Sequence, residues 1–154
     1  MQIYEEIHKF VCKRMQKNTI TILLMNTMSS HTCLVSLGSN LCPEVNMDKA
    51  CEALTRMFPD IRWSPVIVSP DIRKIRSVPD YHNRVALFTT TMSMSSVRSC
   101  FKELERSCGR TSDSKSTDLV PLDIDLLRYG DTIFKSEDMH APYVLQGLDY
   151  LTGK

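Results

Sequence analysis

Charge of one sign is what this sequence lacks most clearly: 19 lysines and arginines face 18 aspartates and glutamates, a formal net charge of +1. So weak a field gathers neither nucleic acid nor an anionic membrane, and neither is expected as a partner. A local basic site for a phosphate-bearing ligand remains compatible with it. No stretch is long enough to span a bilayer. The run Ile20-Thr21-Ile22-Leu23-Leu24-Met25 is too short for a convincing signal-peptide core, and no clear cleavage site follows it. Among Cys12, Cys33, Cys42, Cys51, Cys100 and Cys108 there is no CxxC pair and no zinc-finger spacing. Cys51, Cys100 and Cys108 fall on the apolar stripes of predicted helices, where free cysteine acts as a small hydrophobe. A reducing, cytoplasmic setting is the expectation. Repeats and low-complexity tracts are absent. So is a Walker-type phosphate cradle, because Gly38-Ser39-Asn40 has no lysine after it and reads as a tight turn near a pocket.

What is present suits a single globular domain, with 42% hydrophobic and 24% charged residues in 154. Its expected bounds are 32–154. Residues 1–31 form an N-terminal extension, and Met15, Met25 and Met28 leave two readings of it open: an appended helix, or sequence upstream of the translation start.

Cys33 to Leu37 reads as a buried strand that stops at Gly38-Ser39-Asn40. From Glu44 to about Phe58, Met47, Ala50, Cys51, Leu54 and Phe58 share one helical face. Asp60 to Val68 reads as a second strand, and Ser69 to Asp80 as a long polar loop of the kind that often carries function. Tyr81 to Met92 is a third strand. Ser93 caps a second helix striped by Val97, Cys100, Phe101, Leu104 and Cys108, with Gly109 just past its end. After a second polar loop, Arg110 to Asp118, a fourth strand runs from Pro121 to Tyr129 and turns at Gly130-Asp131. The order is β-α-β-β-α-β, the ferredoxin-like pattern of an α+β fold: an antiparallel sheet with helices on one face.

On the fourth strand, alternation places Leu122, Ile124 and Leu126 on one face and both Asp123 and Asp125 on the other. Acids are disfavoured in strands, so two on one face call for a reason. Spaced two apart, their carboxylates converge on hard cations such as Mg²⁺, which in turn neutralise a polyphosphate during phosphoryl transfer. A half-exposed strand that merely shows water an acidic face is the alternative.

Four motifs in order resemble the 6-hydroxymethyl-7,8-dihydropterin pyrophosphokinase family over roughly Cys33 to Leu148. They are Leu37-Gly38-Ser39-Asn40-Leu41; Pro79-Asp80-Tyr81-His82-Asn83; Glu105 followed by Gly109-Arg110; and the Leu-Asp-aliphatic-Asp strand with its aromatic-Gly turn, Leu122 to Gly130. The resemblance implies a ferredoxin-like enzyme that moves a diphosphate from its co-substrate ATP to a reduced pterin and leaves AMP. Two Mg²⁺ ions would sit on Asp123 and Asp125. Tyr81 and Asn83 would line the pterin pocket, with Ser69, Pro70 and Ile72 beside it and Tyr143 in an aromatic position. Arg110 would lie near the triphosphate and act in catalysis with the two acids, and Glu105, Leu126 and His140 would lie on the nucleotide side. No obligate protein partner is implied.

The chain departs from that pattern where cations are expected. Ser112, Thr117 and Val120 stand where the family brings arginines and a tryptophan over its ligands. Arg73, Lys74, Arg76 or Lys115 are candidates to restore some of that charge. The segment Ser136 to Tyr143 is shortened and has no counterpart of a phosphate-binding arginine. A non-catalytic pterin- or nucleotide-binding homologue, or a ferredoxin-like interaction module, are the alternative readings.

Overall fold

The first strand is bonded on both sides, and everything else is arranged around it. The computed structural model describes residues 29–70 and 78–154. The expectations for Ile72, Arg73, Lys74 and Arg76 therefore lie outside the described residues. Strand β1 (His31–Ser39) pairs antiparallel with β4 (Tyr81–Thr90) on one side and with β5 (Asp123–Tyr129) on the other. Short strands β2 (Arg62–Trp63) and β3 (Ile67–Ser69) both pair with β4, and β6 (Thr132–Ile133) closes a hairpin on β5. The sheet order β2-β4-β1-β5-β6 is the ferredoxin-like arrangement that the sequence predicts.

The expected second strand is broken in two at Ser64-Pro65. Ser64 Oγ accepts from Val85 N at 3.0 Å, doing the work of a backbone acceptor, while its own carbonyl accepts from Arg84 Nε at 2.7 Å. Pro65 then has no N–H to continue the ladder.

Helices α1 (Pro43–Met57) and α2 (Met94–Ser107) lie together on one face of the sheet. Pro43 begins α1 where a missing N–H costs nothing. Ser93 Oγ accepts from Ser96 N at 3.2 Å and caps α2, and Gly109 leaves it at φ 91, a conformation that glycine adopts without a Cβ clash. Met47, Ala50, Leu54, Val97, Phe101 and Leu104 meet Cys33, Val35, Leu37, Ala86, Phe88, Ile124 and Leu126 in one core. Phe58 and Phe88 stack there with centroids 4.1 Å apart.

A third helix, α3 (Pro142–Thr152), was not foreseen in the pattern and covers part of the opposite face. Val144 and Leu151 pack on Leu34, Val85, Leu87 and Leu127. Gly147 lets it sit close: a Cβ there would lie 2.8 Å from Val85 Cβ. Leu127 joins this cluster through a β-bulge, since Leu34 pairs with Arg128 and Val35 with Leu126.

Candidate active site

The face that α3 leaves open, toward the end of β1, is where the predicted residues gather. Register places Asn83 and Asp123 on either side of Gly38, and Val85 and Asp125 on either side of Ser36. Alternation turns Asn83, Ser36, Gly38, Asp123 and Asp125 to the same face as Val85, Leu34 and Leu127. Gly38 forms a low floor in that row. A Cβ on it would lie 3.3 Å from Asn83 Oδ1 and 3.8 Å from the Tyr81 ring.

The pterin-side candidates cluster at one end. Ser69 pairs with Tyr81, and Ser69 Oγ accepts from Asn83 Nδ2 at 2.7 Å. The carbonyls of Ile67 and Tyr81 also accept from that amide, each at 3.3 Å. Asn83 is buried and held at three points, with its Oδ1 turned toward Gly38. Pro70 is exposed at the end of β3.

At the other end stand the acids. Arg110 Nη1 donates to Asp123 Oδ1 at 2.6 Å and to the Leu122 carbonyl at 2.9 Å. The turn at Gly109 aims it there. Burial raises the Asp123 carboxyl above its ordinary range, the neighbouring charge of Asp125 raises it further, and Arg110 opposes both. Asp125 Oδ1 accepts from Lys135 Nζ, and Asp138 lies 3.8 Å from the same ammonium. Burial alone would lower the Lys135 ammonium, but its hydrogen bond and charge contact with Asp125, with Asp138 and Asp123 behind, raise it on balance. Tyr143, in the first turn of α3, reaches the same surface. Burial raises its phenol, a hydrogen bond with Ser36 pulls it back, and Asp138, Asp125 and Asp123 raise it again.

Three candidates lie away from this surface. Leu126 is buried on the α1/α2 side of β5. Glu105 is buried in α2, where Oε1 accepts from Ile124 N at 2.9 Å and from Lys102 Nζ at 2.9 Å. It thus fixes the acidic strand from its edge. The exposed His140 has Nδ1 2.8 Å from the Ser136 carbonyl, within its own turn.

Gly38-Ser39-Asn40, expected as a tight turn, instead continues β1 through Ser39, and its two polar side chains have a definite duty. Ser39 Oγ donates to the Pro121 carbonyl at 2.7 Å; Asn40 Nδ2 donates to the Asp118 carbonyl at 2.9 Å and Oδ1 accepts from Val120 N at 2.6 Å. Both side chains are buried. Together they pin the segment that leads into Asp123.

Sequence reasoning missed Lys135. Its signal was the Gly130-Asp131 hairpin: Arg128 pairs with Ile133, and Phe134 N donates to the Leu127 carbonyl at 2.8 Å, so the next residue falls alongside Asp125. It also missed Ser36 and the place of Gly38 between Asn83 and Asp123, which depend on register across three strands.

The acid pair fits magnesium. It offers oxygen donors on one face two residues apart, and like charge already opposes its full ionisation. Among the described residues no third acid, histidine or cysteine completes a protein-only group able to hold a metal. That too suits Mg²⁺, which keeps water and substrate phosphates in its shell. A separate concavity of about 370 Å³, lined by Pro65, Val66, Ile67, Val68, Gln146 and Tyr150, carries no charged side chain to hold a polyphosphate. No helix among the described residues is long and apolar enough to cross a membrane.

Compared with known proteins, residues 34–152 match the profile of the 7,8-dihydro-6-hydroxymethylpterin-pyrophosphokinase family. The chain is also 31% identical over 124 residues to the folate synthesis bifunctional protein of Chlamydia caviae. That alignment takes in 76% of this chain and 27% of the relative, so the chain spans about a quarter of that protein's length.

Proposed function

We propose that this chain, which belongs to the 7,8-dihydro-6-hydroxymethylpterin-pyrophosphokinase family, transfers a diphosphate from ATP to the hydroxymethyl group of a reduced pterin in folate synthesis. The functional unit would be the domain expected over residues 32–154, with His31 added at the head of β1. In the reaction the hydroxymethyl oxygen attacks the β-phosphorus, the bond from that phosphorus to the α–β bridging oxygen breaks, AMP leaves, and the hydroxyl proton passes to solvent.

The observation that carries this reading is the row Asn83, Gly38, Asp123 across three adjacent strands. Its ends are about 10 Å apart, from two interstrand spacings. A flat bicyclic ligand reading the Asn83 amide would direct a hydroxymethyl arm over Gly38 toward the acids. Asn83 would offer its Oδ1 as an acceptor to the pterin edge, its amide nitrogen being committed to Ser69 and to the Ile67 and Tyr81 carbonyls. Tyr81 and Tyr143 would bound the pterin; Asp123 and Asp125 would hold Mg²⁺. Magnesium supplies neutralisation of the triphosphate. Arg110 adds a fixed guanidinium beside Asp123, which suits phosphate oxygens in fork geometry. Glu105 and Leu126 act through β5, by fixing its backbone and anchoring its far face.

Incubating the protein with ATP, magnesium and 6-hydroxymethyl-7,8-dihydropterin should release AMP in step with pterin diphosphate. Release of ADP, or no pterin-dependent AMP, would overturn the assignment.

One observation favours a second reading, a binding homologue without turnover. Ser112, Thr117 and Val120 bring no charge to the loop before β5. Saturable pterin or nucleotide binding with no AMP would establish it.

A further inference from the structure

The acid pair carries its own counter-ions. Asp123 is bonded to Arg110 and Asp125 to Lys135, so two carboxylates face two side-chain cations. Arg110 is largely enclosed, with 18% of its side chain exposed, and it also grips the Leu122 carbonyl. Lys135 differs: its side chain is 54% exposed and it is held by carboxylates alone, Asp125 and more distantly Asp138. Its backbone is fixed instead. The residue sits at φ 48 between Phe134, whose N–H is bonded to β5, and the turn whose Asp138 N donates to the Lys135 carbonyl at 2.9 Å. A fixed base with a half-exposed ammonium is suited to changing partners.

We propose that Lys135 is an exchangeable counter-ion of the acid pair: it occupies Asp125 until a polyphosphate arrives, then yields the carboxylate to magnesium and pairs with the polyphosphate. This rests on the pyrophosphokinase reading of the site. Free divalent cation must compete with Lys135 for Asp125. Cation arriving with a triphosphate does not, because the ammonium gains phosphate oxygens in exchange. The site therefore favours the metal–nucleotide complex over either component alone. Lys135 also supplies, from the segment after β6, positive charge that Ser112, Thr117 and Val120 do not bring.

The test compares the unmodified chain with Lys135→Met and Lys135→Arg. Mn²⁺ is titrated alone by electron paramagnetic resonance, and Mg²⁺ with a non-hydrolysable ATP analogue by calorimetry. Lys135→Met should bind free Mn²⁺ about fivefold more tightly, the scale expected of one partly exposed charge contact, and the metal–nucleotide complex about tenfold more weakly. Lys135→Arg should restore nucleotide affinity and keep free Mn²⁺ weak. Unchanged affinities in Lys135→Met, or both moving in the same direction, would overturn the exchange. Opposed shifts in a chain that releases no AMP would leave the exchange standing and remove the pyrophosphokinase reading. Failure of the unmodified chain to bind any nucleotide would remove both.

Discussion

Asn83 and Asp123 stand two strands apart on a single row of the sheet, with only the hydrogen of Gly38 rising between them. That spacing separates the amide end of the surface from its acidic end and leaves no side chain of β1 between them.

Filling this gap should block the pterin without disturbing the nucleotide. Gly38 has no positive φ, so a side chain there meets crowding by Asn83 and Tyr81 and no backbone strain. Gly38→Val should raise the KM for the pterin about tenfold or more and leave nucleotide affinity within twofold, a loss on the scale of one misplaced contact. Equal losses for both ligands would mean that the two do not divide the row as described.

Replacing either acid should abolish most turnover while preserving the fold. Asp123→Asn and Asp125→Asn keep volume and hydrogen-bonding capacity but discard charge. Each should lower kcat by about a hundredfold or more, as loss of a charge-stabilising group does. Circular dichroism and the melting transition should show a folded protein. Near-normal kcat in both would remove them from the reaction.

The two acids were legible because a strand has period two, and Leu122, Ile124 and Leu126 declared which face was buried. Helices α1 and α2 were legible for the matching reason, an apolar stripe, joined in α2 by caps at Ser93 and Gly109. The break at Ser64 was not, since a side chain there substitutes for a backbone acceptor and no periodicity encodes that. Helix α3 was hidden by Pro142 and Gly147, residues that punctuate a pattern in sequence but here start a helix and let it dock. The proximity of Lys135 to Asp125 belongs to hairpin geometry rather than to the motif around the acids.

Asp123 should also make stability depend on pH, with a defined sign. Its carboxyl is raised above the usual 3.8, chiefly by burial and then by Asp125. Between the ordinary and the raised values the folded chain keeps a proton that the unfolded chain has lost. The stability contributed by that proton is fully present below the ordinary value and is lost as pH rises through the raised one. In metal-free buffer the unmodified chain should therefore lose stability relative to Asp123→Asn as pH rises above the ordinary 3.8. Denaturant midpoints measured in parallel decide it; a relative gain would reverse the sign and place Arg110 as the dominant influence.

Gly147→Ala should destabilise the protein although alanine is the better helix former. Overpacking against Val85 costs about 1–3 kcal/mol, against about 1 kcal/mol gained in propensity. A melting temperature lowered by a few degrees is expected. A rise would show that α3 does not approach β4 closely enough for an added Cβ at Gly147 to crowd Val85.

The central position of β1 governs the order in which the chain can fold. Its partner β4 begins some forty residues downstream, but its other partner, β5, pairs Gly38 with Asp123 across most of the domain. Until that distant segment arrives, β1 presents a bare edge, and closing so large a loop is slow. Refolding should thus be limited by the late capture of β5, and the interval before it is when the chain is most exposed to pairing with another copy of itself.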